Sequence, residues 1–234
     1  AVWKAKQKLD KILSDWEKGG KKGLCPVPQE PLPLMSGTFN VPLYGMDEWG
    51  KLFTARHKVT LIQLLELLKS HFSSRDIALK DCMTMVMDRC VDFYNSLARW
   101  KADAECPVQA LARQALPMIW DFGEVNPLSD STGSLTAQTE RSANAIDVSV
   151  VSSFARCEVK SADAQAHPLI NESADIWFTD PPYYFAVPYA DLSDFFFVWL
   201  KRTANAFDNS PSSSDANNVL TPKAQELCEM KHWD

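Results

Sequence analysis

Between Asp175 and Asp194 the chain carries its densest set of chemically useful side chains. A short apolar run, Ile176-Trp177-Phe178, passes through Thr179 and ends at an acid, two prolines and two tyrosines: Asp180, Pro181, Pro182, Tyr183 and Tyr184. The Asp180 carboxylate and the Pro181 carbonyl are hydrogen-bond acceptors. The prolines fix φ and donate no N–H, so that carbonyl is held stiffly with no competing local donor. Tyr183 offers a flat ring. Two acceptors beside an aromatic face suit an amino group on a planar heterocycle. Each acceptor takes one amine hydrogen, which draws the nitrogen toward tetrahedral geometry and localises its lone pair for attack. The gain is orientation plus stabilisation of the positive charge that develops on nitrogen.

Asp-Pro-Pro-Tyr is the loop sequence of amino-group methyltransferases that act on adenine N6 or cytosine N4 with S-adenosylmethionine. A base inside a helix must be flipped out, at a cost of a few kcal/mol. Stacking on an aromatic ring returns roughly 1–3 kcal/mol, the role assigned to Tyr183. Four residues alone also fit a strand-ending turn, because Asp and Pro are common turn formers. The apolar run before them and the tyrosine pair after them favour a site. A buried strand over Asp175–Thr179 would deliver such a loop to the edge of a sheet, where α/β proteins keep their chemistry.

Glycine limits this reading. There are eight glycines, the last at position 133. Only Gly lets a backbone approach S-adenosylmethionine closely on the turn after a first strand. The nearest cluster, Gly19-Gly20-Lys21-Lys22-Gly23, follows a helical pattern and is read as a helix stop and linker. The loop therefore carries the base-binding half of a site, with the cofactor half expected elsewhere. The chain opens on Ala1 rather than Met, which also points to a fragment or excised domain.

At 234 residues the chain can bury a sizeable core as one domain or two small ones. No apolar run reaches the ~20 residues of a membrane span, and the first residues lack a signal peptide. The six cysteines form no C-x-x-C pair. They read as reduced thiols of a cytoplasmic protein, with no metal site. A net charge of −6 argues against a large sequence-independent duplex-binding surface, since phosphate neutralisation needs clustered Lys and Arg.

Hydrophobic spacing predicts a helix over Val2–Lys18 and a Pro-rich extended connector from Cys25 to Pro42. A second helix, capped by Thr54, should run from Ala55 to Phe72. A third should run from about Asp76 to Trp100. Gln109 to Asp121 begins as another helix that Pro117 ends or kinks. Leu135–Val151 reads as a helix, Arg156–Lys160 as a short strand, and Asp191–Ala206 as an aromatic helix. Asp208 to Asn218 reads as loop, and Pro222 opens a last helix toward Met230. His57 and His71 read as lone satisfied or solvent-facing histidines rather than ligands. The division is 1–43 helix and connector, 44–134 helical insertion, and 135–234 partial core with the loop.

The longer string from Thr179 to Arg202 resembles the large bacterial and archaeal adenine-specific DNA methylases that carry a DUF1156 domain. So do Tyr44-Gly-Met with Trp49 to Thr54, Arg113 to Phe122 with Asn126-Pro127, and Leu220 to Lys223. The resemblance implies an α/β fold: a partial Rossmann-like S-adenosylmethionine methyltransferase core with a large helical insertion. It implies methyl transfer to adenine N6 of a flipped base in DNA, with cytosine N4 or RNA as the alternative target. A non-catalytic helical binding module is the alternative from another class. Asp180, Pro181, Pro182 and Tyr183 carry over as target-base and catalytic residues. Tyr184, Tyr189, Asp191 and Asp194 carry over as pocket or supporting residues. Ser161, Ala162 and Asp163 stand where such enzymes contact the cofactor's adenosine. Phe185 departs from the family pattern, which has Asp there. The implied partners are DNA, the remainder of a parent methyltransferase chain and, because some members sit in phage-defence gene clusters, proteins encoded beside them.

Overall fold

The computed structural model describes residues 1–72, 76–103, 105–111, 113–151, 169–180, 186–203, 220–223 and 230. In chain order the helices are α1 (Val2–Lys18), α2 (Ala55–His71), α3 (Ile77–Phe93), α4 (Leu135–Val151) and α5 (Tyr189–Leu200). Two strands, β1 (Arg99–Lys101) and β2 (Cys106–Val108), lie between α3 and α4. They pair antiparallel, with Trp100 opposite Pro107. This ribbon is the one sheet among the described residues. The Rossmann-like arrangement rests on the resemblance alone.

Four of the predicted helices form where the spacing put them, and their ends have local causes. Thr54 caps α2: its hydroxyl accepts from the His57 N–H, and the Thr54 N–H donates to His57 Nδ1. Helix α3 stops at Phe93, seven residues short of expectation. The reason is Asn95, whose Nδ2 donates to the carbonyls of Val91 and Asp92 while its Oδ1 accepts from the Leu97 N–H. These bonds replace the next helical turn with a side-chain cap. Asn95 and Ser96 are thus interior stop signals, and Ser96 is tied to the Leu52 carbonyl.

Two expectations fail. Gln109 to Asp121 forms no helix. Asp92 Oδ1 accepts from the Ala110 N–H and Leu116 bonds Thr38, while Gln114 adopts a left-handed φ of 54°. Tertiary partners have taken the groups a helix would use, and Pro117 denies it a donor. The predicted buried strand Asp175–Thr179 belongs to no named strand among the described residues and lies at the surface. Ile176, Trp177 and Phe178 are 82%, 68% and 91% exposed. A strand exists only by pairing with another, and the pairing of named strands among the described residues is β1 with β2. Arg156–Lys160, Asp208–Asn218 and most of the Pro222 helix lie outside those residues.

One apolar core draws on all three stretches of the chain. Leu9 of α1, Leu32, Phe39 and Val41 of the connector, Trp49 to Phe53, and Leu61, Ile62 and Leu65 of α2 meet Phe195, Val198 and Trp199 of α5. The Pro-rich connector is therefore core as well as linker. Its path is fixed by close approach: a Cβ on Gly50 would stand 2.2 Å from the Pro28 carbonyl oxygen, so no side chain fits there. Aromatic contacts join the turn before α2 to α5. Phe53 stacks on Phe195 at 6.0 Å between centroids and meets Trp199 edge-on at 5.1 Å. Helices α1 and α2 pack together. Ala5 of α1 and Arg56 of α2 line one cavity.

The polar tie across this core is Arg202, just past α5. Its guanidinium donates to both carboxylate oxygens of Glu30, at 2.9 and 3.1 Å, and to the Cys25 carbonyl at 2.7 Å. It also reaches the carbonyls of Val27 and Val198. Lys201 adds a second cation to Glu30 at 2.6 Å. Burial pushes the Glu30 carboxyl up, but Arg202 and Lys201 outweigh it and hold the group below its ordinary value.

Removing one partner of a buried ion pair leaves a bare buried charge, whereas replacing both can be nearly neutral. Arg202→Met should therefore lower unfolding stability by about 3 kcal/mol, read as a shifted urea midpoint. Adding Glu30→Met should restore part of that loss, since Lys201 then loses its carboxylate partner. Equal losses for single and double variants would show that the pair is not coupled. Asp88 of α3 gives a pH test. One of its carboxylate oxygens is buried without a hydrogen-bond partner, and burial pushes its pKa to about 8. The folded protein therefore holds the Asp88 proton more tightly than the unfolded chain does. That contribution is fully present below about pH 4 and is lost as pH rises through about 8. Asp88→Asn should match the wild type near pH 4 and exceed it by up to a few kcal/mol at pH 9. Melting curves at the two pH values measure this.

Candidate functional site

Residues 176–180 end at Asp180, which is exposed. Pro181, Pro182, Tyr183, Tyr184 and Phe185 lie outside the described residues, as do Ser161, Ala162 and Asp163. Description resumes at Ala186. A tight turn, in which the Tyr189 N–H donates to the Val187 carbonyl at 2.9 Å, leads into α5. The predicted loop is thus followed directly in sequence by a helix that is well buried among the described residues.

Why α5 is fixed follows from its sequence. Phe195, Val198 and Trp199 recur at three- and four-residue spacing and are fully buried. Asp191 and Asp194 repeat the three-residue spacing and share a face, and both are buried. Buried carboxylates need partners, and the segment Thr221-Pro222-Lys223 supplies them. Asp194 Oδ1 accepts from the Thr221 N–H at 2.8 Å and lies 2.7 Å from the Thr221 hydroxyl. Asp194 Oδ2 accepts from Lys223 Nζ at 2.6 Å. The same ammonium stands 3.8 Å from Asp191 Oδ1. The Thr221 hydroxyl also lies 3.0 Å from the Ala190 carbonyl. It has one proton, so it donates to one of these two acceptors at a time. Burial pushes the Asp194 carboxyl above its ordinary value, against the pull of Lys223 and Thr221.

Of the residues predicted to line a substrate pocket, the structure therefore brings Asp191 and Asp194 together around Lys223. Tyr189 does not join them; its ring is partly exposed at the start of α5. Lys223 was missed in the sequence as the partner of both acids. It stands 29 residues from Asp194, and no local spacing signals a pair so far apart. A lysine after Thr-Pro, together with two acids embedded in an aromatic helix, is the only hint the sequence holds.

The glycines with left-handed backbone are Gly20, Gly23, Gly37 and Gly45. None follows β1 or β2, so no close-approach turn after a strand is present there. Among the described residues no group of His, Cys, Asp and Glu could hold a metal ion. Among them, too, no helix is long and apolar enough to cross a membrane. Comparison of the chain with models of known protein families, with curated proteins and with solved structures returned no match.

Lys223→Met should destabilise the protein by about 2 kcal/mol, because Asp194 then keeps only the Thr221 donors in a fully buried place. Asp194 already binds its proton more tightly in the folded state. Losing the ammonium strengthens that preference. The deficit against wild type should be small in acid, where Asp194 is protonated in both, and should grow as pH rises through the raised value. A deficit independent of pH, in unfolding titrations from pH 4 to 8, would show that Lys223 acts by packing alone.

Proposed function

We propose that this chain carries the base-binding half of an S-adenosylmethionine-dependent DNA methyltransferase that modifies adenine N6. The observation that carries the reading is the exposed Asp180, opening the Asp-Pro-Pro-Tyr sequence a few residues before a helix fixed at both ends. A flipped base needs an acceptor that is itself free of protein donors, held on a stiff support. Asp180 is surface-exposed, and the chain beyond the loop is locked by Phe195 and Trp199 in the core and by two buried ionic clusters.

In this reading Asp180 accepts one hydrogen of the target amine and the Pro181 carbonyl accepts the other. Tyr183 stacks on the base. S-adenosylmethionine supplies the methyl group when bound, and the glycine-rich turn that holds it belongs to polypeptide outside these 234 residues. Asp191 and Asp194 serve as supporting residues by fixing α5 through Lys223 and Thr221. The same loop chemistry serves cytosine N4 or an RNA base, so the product nucleoside identifies the target.

Asp180→Ala should lower labelled-methyl incorporation into DNA by roughly 10²–10³-fold, the scale of losing one well-placed polar group in an active site. The protein assayed must include the cofactor half, and its melting temperature should be unchanged. Incorporation at the wild-type rate would remove Asp180 from the chemistry. Nucleoside analysis should find N6-methyladenine. Calorimetry of these 234 residues with S-adenosylmethionine should register no tight binding; tight binding would place the cofactor site within this chain.

A further inference from the structure

Charge is unevenly placed along the chain. Residues 1–23 hold seven lysines and three acids, a net side-chain charge of +4. The remaining residues hold 17 basic and 27 acidic side chains, a net −10. The overall −6 therefore conceals a basic element on an acidic body. That element is α1 with the turn that follows it.

Within α1 the lysines are sorted by face. Lys4, Lys8, Lys11 and Lys18 follow at steps of four, three and seven residues, which on a helix brings them into one stripe. All four are exposed. One acid, Asp15, shares the stripe, which leaves it a net +3. Lys6, Asp10 and Glu17 fall on another side of the helix. Among the described residues none of the four ammonium groups pairs with a carboxylate. The basic run continues past the helix. Trp16 Nε1 donates to the Lys22 carbonyl at 3.3 Å, and Lys21 Nζ stands 5.8 Å from the Trp16 ring centre. Lys22 then lines one cavity with Lys69, Lys201, Arg202 and a single acid, Glu66; Glu30 offsets one charge of the Lys201–Arg202 pair. The Ala1 amino group adds to the other end.

The opposite face of α1 is already spent. Leu9 is buried, and Ile12, Leu13 and Trp16 pack against the core. A helix that lies in a membrane surface needs that apolar face for the bilayer, so α1 has none to offer. A row of ammonium groups in water suits a partner whose negative charges repeat along a line. Lys4 to Lys18 covers about 21 Å of helix axis, and over that length one strand of a DNA duplex presents roughly six phosphates. Lysine serves such a partner as a point charge, which positions a backbone without reading bases.

We propose that the exposed lysine stripe of α1 binds the phosphate backbone of duplex DNA without regard to sequence. The choice of DNA over RNA rests on the methyltransferase reading; the charge placement does not, because the stripe shares no residue with the Asp-Pro-Pro-Tyr loop.

The test is the fluorescence anisotropy of a short labelled DNA duplex titrated with the chain at several salt concentrations. With three phosphate contacts, affinity should fall about fortyfold between about 50 and 200 mM salt. The triple variant Lys4→Gln, Lys11→Gln, Lys18→Gln should bind about tenfold more weakly at the lower salt and lose most of that salt dependence. Glutamine is as good a helix former as lysine, so the circular dichroism should not change. Arginine at the same three positions should keep the binding. Lys6→Gln, off the stripe, should bind within about twofold of the wild type. Asp180→Ala should bind as the wild type does, so methyl transfer lost with duplex binding intact would bear on the loop and leave the stripe supported. Binding that does not depend on salt, or that the glutamine triple variant retains, would overturn the proposal. So would binding to polyglutamate, or to vesicles containing phosphatidylserine, as tight as to the duplex.

Discussion

A single guanidinium holds the ends of this fold together. Arg202 reaches Glu30, the carbonyls of Cys25 and Val27, and the Val198 carbonyl of its own helix. A lysine could not do this: the planar fork with its five donors can serve a carboxylate and several carbonyls at once. Without that web the carbonyls of the Pro-rich connector would be buried against apolar side chains with few donors, since prolines supply none. The connector's place in the core, the fit of Gly50 under Pro28 and the aromatic contacts of Phe53 with α5 all presuppose that Arg202 is seated.

Helix α5 is secured twice, by Arg202 with Glu30 at one end and by Asp191 and Asp194 with Lys223 at the other. Between them Phe195, Val198 and Trp199 contribute dry packing. Such a helix makes a rigid floor for whatever precedes it. A loop that works by holding two acceptors in place benefits from such a floor, since misplacement by about 1 Å can cost 10²-fold in rate.

The helices were legible because their evidence is local. The apolar spacing of α1, α2 and α5 and the Thr54 cap lie within a turn or two of the elements they define. What could not be read depended on distant partners. Residues 109–121 lose their helix to Asp92 and Thr38, and nothing in that stretch announces either. Asp175–Thr179 has the composition of a buried strand yet lies at the surface, because composition reports what a segment favours and not where the fold places it. Asp180 and its loop could be proposed from residue types alone. The pairing of Asp194 with Lys223 exists only once the chain is folded.

The Glu30–Arg202 pair spans 172 residues. During synthesis at about 5–20 residues per second, Glu30 emerges roughly 10–35 s before the arginine that neutralises it. Over that interval the first helices can form, yet their core cannot close around a carboxylate that has no partner. Until then Leu32, Phe39 and Trp49 lack the α5 side chains that complete their core in the folded protein.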